Sequence, residues 1–128
     1  MNPAKHSTGQ WAYFDVDGTL LKFHGYTAKQ KRRHGLVLRN GQVAVPHKRH
    51  IEELKNHHAR GHVVVVWSAG GYTWAKEVVD FLGLASYVDL IACKPDWWYD
   101  DWNSDKVLTK SSHVFLEDDE IDSYEILE

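Results

Sequence analysis

Asp15-Val16-Asp17-Gly18-Thr19-Leu20 places two carboxylates two residues apart at the end of an apolar run. A carboxylate at such a strand end is poised as a nucleophile, and a second one two residues on reaches the leaving-group oxygen as general acid. Gly18 permits a sharp turn, and Thr19 can satisfy backbone groups there. Later apolar runs also end in polar groups: Ser68 after His62–Trp67, Lys94 after Val88–Cys93, Asp100-Asp101 after Trp97–Tyr99, and Glu117-Asp118-Asp119 after His113–Leu116. Carboxylates, a hydroxyl and an ammonium gathered on one rim suit a hard cation together with a phosphate. A lone DxDG would be only an acidic turn; Ser68 and Lys94, in order behind it, make it a candidate site.

These groups need a scaffold that brings strand ends together. Trp11–Val16 reads as a buried strand, and the four valines of His62–Trp67 imply burial on both faces, as in a parallel sheet. Residues 21–35 are polar and basic, which predicts a loop. Leu36–Leu38 and Gln42–Val45 predict a hairpin around Asn40-Gly41, a pair suited to a type I′ turn. Pro46 is placed to open a helix reaching about Arg60, with Ile51 and Leu54 inward and Gly61 as its stop. A second helix is predicted over Tyr72–Leu82, with Trp74, Val78 and Phe81 on one side and Gly83 beyond its end. Val88–Cys93, Trp97–Tyr99 and His113–Leu116 predict three further strands. Alternating strands and helices give an α/β sandwich on a parallel sheet, whose ligands bind beyond the carboxyl ends of the strands.

The motifs resemble those of the haloacid dehalogenase (HAD) superfamily. Asp15–Leu20 is similar to its first signature, DxDGT; Val65-Val66-Trp67-Ser68 to its second; Cys93-Lys94-Pro95 to its third; and a later strand ending in paired acids to its fourth. The likeness covers roughly residues 11–118, and the stretch from Trp67 through Asp101 resembles the small, nearly capless HAD hydrolases found in phages and bacteria. It implies a single HAD-like Rossmannoid domain over residues 1–128, a parallel sheet flanked by helices, with only a flap or hairpin inserted at about 22–46 and hence an open site. It also implies a Mg²⁺-dependent phosphomonoesterase working through an aspartyl-phosphate. In that scheme Asp15 attacks phosphorus, and Asp17 protonates the leaving group and then activates water. Ser68 and Lys94 hold the phosphoryl oxygens, and Mg²⁺ sits between the Asp15 carboxylate, the Asp17 carbonyl and a fourth-motif acid. Such charge neutralisation and alignment are what phosphoryl transfer needs. The alternative is a relative that binds phosphate or a nucleic-acid end with little turnover; the Asp15/Asp17 pair argues against it, since binding needs no general acid. Dehalogenases typically lack the second Asp of the first motif, so Asp17 counts against that activity too.

The fourth motif has two candidates. Asp100-Asp101 lies six residues after Lys94, too close for a helical crossover, and by spacing Asp118-Asp119, with Asp122 beyond, fits better. By resemblance, Lys94-Pro95-Asp96-Trp97-Trp98-Tyr99-Asp100-Asp101 matches the family run of KP, a few aromatic or aliphatic residues, then DD, and Asp100 supported by Asp101 is preferred as the metal ligand.

At 128 residues with 43% hydrophobic and 26% charged residues, the chain has the composition of one folded domain and not of a disordered segment. No apolar run approaches a membrane span, and the N-terminal MNPAKHSTGQ has no apolar stretch of a secretory signal, so a cytoplasmic address is expected. The lone Cys93, expected to be a buried strand residue, excludes an intrachain disulfide and a cysteine zinc cage. The nine histidines show no HExxH or comparable metal spacing. Residues 22–60 carry ten Lys/Arg against two Glu, and residues 95–128 carry eleven Asp/Glu against two Lys. The basic run Lys29–His34 reads either as a solvated loop or as a flap that attracts an anionic substrate, a phosphorylated small molecule or a nucleotide or nucleic-acid end. Trp97 and Trp98, adjacent in a strand, would point to opposite faces, one of them near the site rim.

Overall fold

The computed structural model describes residues 9–101 and 113–117. Its centre is a parallel sheet in the order β1 (Trp11–Asp15), β5 (Val63–Ser68), β6 (Leu90–Cys93). The register sets Asp15 beside Trp67 and Ser68 beside Cys93, so the strands end level with one another. A smaller antiparallel sheet of β2 (Leu21–Lys22), β4 (Val43–Pro46) and β3 (Leu36–Val37) follows β1 in the chain. Three helices complete the described architecture: α1 (Ala28–His34), α2 (Lys48–Ala59) and α3 (Tyr72–Phe81). The molecule is therefore mixed α/β, and among the described residues no helix is long and apolar enough to cross a membrane.

Alternation along the strands decides which side is core. Phe14, Val64 and Val66 join Leu54 of α2 and Ala75, Val78 and Val79 of α3 in one buried cluster. Val63 and Val65 are buried too, but their face carries Trp11, Tyr13 and Leu90, which are exposed, and no helix packs on it among the described residues. The expected helices on both sides are thus seen on one.

Several local expectations are corrected. Residues 21–35 are not a loop throughout: β2 pairs with β4, and α1 begins at a capping box in which Thr27 Oγ1 accepts from the Gln30 N–H and Gln30 Oε1 accepts from the Thr27 N–H. The hairpin turn is not type I′, because among the described residues, Asn40 included, no non-glycine residue has positive φ. Asn40 instead spends its side chain on the Gln42 N–H at 3.0 Å, and Gly41, at φ +83°, closes a three-residue loop. Pro46 ends β4, and His47 caps α2 through the His50 N–H. The buried stripe of α3 runs through Ala75, Val78 and Val79, leaving Phe81 beside it and 47% exposed. Cys93, at the end of the outer strand, is exposed.

Two predicted strands are absent. Trp97, Trp98 and Tyr99 are irregular and exposed, Trp97 and Tyr99 by 80% and 93%. The strand preference of aromatics comes from packing on a half-buried surface, which this segment lacks, and Pro95 just before it has no N–H to start a ladder. Residues 113–117 are also irregular: the Leu116 N–H goes to a side chain, His50 Nε2, and not to a neighbouring strand.

Candidate active site

The first carboxylate ends β1 and the second stands in the turn that follows. Val16, fully buried, turns its carbonyl to the N–H groups of Thr19, Leu20 and Leu21 at 3.0–3.1 Å. Three donors on one oxygen wind the chain sharply, and Gly18 takes the φ of +79° that the reversal requires. Leu20 and Leu21, with no exposed surface, nail the far side of the turn into the core. Asp15 is left half-buried at the strand end and Asp17 exposed on the turn.

Both oxygens of Asp15 are held. Lys94 Nζ lies 3.2 Å from Oδ1, and the Thr19 hydroxyl donates to Oδ2 at 3.3 Å. Thr19 thus serves the carboxylate and not the backbone of its turn, as its residue type had suggested. Lys94 reaches Asp15 because its own backbone hangs on β5: the Lys94 N–H donates to the Ser68 carbonyl at 3.0 Å. Its ammonium also lies 5.9 Å from the centre of the Trp67 ring, the outer range of a cation–π contact. Trp67 is the register partner of Asp15 and packs on Tyr13 with ring centres 4.7 Å apart.

Ser68 is buried and its Oγ accepts from the Gly70 N–H at 3.0 Å, which leaves the hydroxyl proton to be donated elsewhere. Asp17 has a partner that the sequence did not flag: the Trp74 indole N–H donates to Oδ1 at 2.9 Å. The helix pattern assigns Trp74 only a packing role. A tryptophan three residues past a Gly-Gly loop, in the first turn of the helix after the second motif, was the available signal.

Asp15, Asp17, Ser68 and Lys94 therefore belong to one rim, joined by the Lys94–Asp15 ion pair and the Ser68–Lys94 backbone bond. Asp100 and Asp101 are exposed on the irregular segment after Lys94, and among the described residues no three His, Cys, Asp or Glu side chains stand together as a metal group. Asp118, Asp119 and Asp122 lie outside the described residues. The donors present at the rim are hard carboxylate oxygens, a set that accepts Mg²⁺, which is commonly bound by one or two carboxylates with waters and substrate phosphates filling the rest.

A cleft of about 510 Å³ begins at Gly18 and is walled by Lys22, His24, His47, Phe115 and Glu117 among others. The basic helix α1 carries Lys29, Lys31, Arg32 and Arg33 exposed on its surface. No family model, curated protein or solved structure matches this chain.

Proposed function

We propose that the protein is a HAD-like phosphomonoesterase that uses Asp15 as nucleophile. The observation that carries this reading is the Lys94 Nζ–Asp15 Oδ1 contact of 3.2 Å, which joins the third motif to the first at level strand ends. An ammonium there stabilises the charged nucleophile and then the phosphoryl oxygens that approach it.

In the first step an Asp15 oxygen forms a bond to phosphorus while the ester P–O bond breaks. Asp17 gives its proton to the departing oxygen. The Trp74 indole N–H donates to Asp17 Oδ1, which leaves Oδ2 as the oxygen to carry the proton. In the second step the Asp17 carboxylate takes a proton from water as that water attacks phosphorus, and Asp15 and inorganic phosphate are released. Ser68 donates its hydroxyl proton to a phosphoryl oxygen, and Lys94 spans that oxygen and Asp15. Mg²⁺, held by Asp15, Asp17 and, by resemblance, Asp100, would neutralise phosphoryl charge when bound. The exposed cations of α1 favour an anionic substrate such as a nucleotide or a nucleic-acid end.

The test is turnover of p-nitrophenyl phosphate with and without Mg²⁺, followed by acid quench and mass spectrometry of the Asp15 peptide. A phosphate adduct on Asp15 is the expected result. Binding of phosphate without turnover or adduct would favour the alternative, a non-catalytic phosphate-binding relative.

A further inference from the structure

His50, on α2, is nearly fully buried, 3% exposed, yet both of its ring nitrogens are spent on backbone far apart in the chain. Nδ1 lies 2.8 Å from the Thr19 carbonyl, within the acidic turn. Nε2 accepts from the Leu116 N–H at 2.9 Å. A carbonyl can only accept and an N–H can only donate, so the ring is neutral with its proton on Nδ1. Its plane is fixed as well. His47 stacks on it with ring centres 3.8 Å apart and an angle of 9°, and Phe115 meets its edge at 5.0 Å. His47 is itself set by the α2 cap, where Nδ1 accepts from the His50 N–H. The segment bound through Leu116 supplies Phe115 and Glu117 to the cleft that starts at Gly18, and Arg49 holds the Glu117 carbonyl at 2.9 Å.

We infer that His50 is a positioning residue that ties the acidic turn to residues 113–117, so that one wall of the cleft is held in register with Asp15 and Asp17. The inference rests on the phosphomonoesterase reading for its kinetic consequence and on geometry alone for the tie. The two bonds are separable by isosteres. Asn carries an amide near the Nδ1 position and can donate to Thr19, but does not reach Leu116. Gln carries an oxygen near the Nε2 position and can accept from Leu116, but has no donor at Thr19.

The experiment measures amide hydrogen exchange by NMR and steady-state kinetics for the full chain and for His50→Asn and His50→Gln. In His50→Asn the Leu116 amide should exchange at least about tenfold faster, while those of Thr19, Leu20 and Leu21 stay protected; KM should rise several-fold with kcat nearly unchanged. In His50→Gln the turn amides should lose protection and kcat should fall about tenfold, the scale on which small misplacement of reacting groups acts, with KM nearly unchanged. Identical exchange patterns in the two variants, or none different from wild type, would overturn the inference. A wild type without turnover would overturn only the phosphatase reading, and the exchange arm would still decide on His50. Ring ¹⁵N shifts of the unmodified protein provide a check that needs no variant: Nδ1 must carry the proton, and an Nε2–H ring would overturn the tie to Leu116.

Discussion

The indole N–H of Trp74 donates to Asp17 Oδ1 at 2.9 Å, linking the first turn of α3 to the acidic turn after β1. Trp74→Phe keeps the ring's packing and deletes that donor. The bond holds the Asp17 side chain in place for proton transfer, and a small misplacement of a reacting group costs on the order of tenfold or more, so kcat should fall about tenfold with KM little changed. Kinetics on p-nitrophenyl phosphate and an alkyl phosphate check this, and the alkyl ester should suffer more.

Asp15→Asn should abolish turnover while the circular dichroism of the fold persists. The amide has the shape of the carboxylate but cannot attack phosphorus or balance the Lys94 ammonium 3.2 Å away. Activity above a few per cent in clean preparations would remove Asp15 from the nucleophile's role.

Asp17→Asn should slow substrates with poor leaving groups most. General acid catalysis is worth about 10²–10⁴-fold where the departing oxygen needs a proton, and much less where p-nitrophenolate leaves unaided. Equal losses on both substrate types would refute the assignment.

Asp100→Ala should raise the Mg²⁺ concentration needed for half-maximal activity, and Asp118→Ala should not, because removing a carboxylate weakens a hard-cation site. Metal titrations of the two variants decide between them. The opposite pattern would move the metal ligand to Asp118-Asp119.

Burial holds the His57 imidazole below its ordinary pKa of 6.5, and the nearby Arg60 and His62 charges push it the same way, against Glu53. In the unfolded chain it takes up a proton near the ordinary value. Its contribution to stability is therefore complete above pH 6.5 and is lost as pH falls from there through the folded-state value. His57 Nδ1 lies 2.9 Å from His62 Nδ1, a contact that needs one ring to donate and the other to accept. Urea midpoints measured from pH 7.5 to 5 should decline, and the decline should be shallower in His57→Gln.

The parallel sheet was legible because the run Val63–Val66, buried on both faces, suits such a sheet, and the grouping of Asp15, Ser68 and Lys94 because each ends an apolar run. Helix α1 went unread because its polar, basic surface has no apolar period; Thr27 and Gln30, spaced as a capping box, were the local signal. Trp97–Tyr99 misled because aromatic residues report a packing surface more than a backbone preference. The Trp74–Asp17 and His50–Leu116 contacts join residues remote in sequence, and only the folded chain brings such pairs together.

The ladder of β1 on β5 pairs Trp11 with Val63, and β6 adds Leu90 beside Val65. Closing such long loops costs chain entropy before any contact rewards it, which makes parallel pairing slow. The Lys94–Asp15 ion pair spans both crossovers, so it cannot form in a nascent chain that has emerged only as far as β5. A site that depends on this pair, as the proposed chemistry at Asp15 does, would then be withheld from incomplete chains during synthesis, and its assembly on refolding would time the docking of β6.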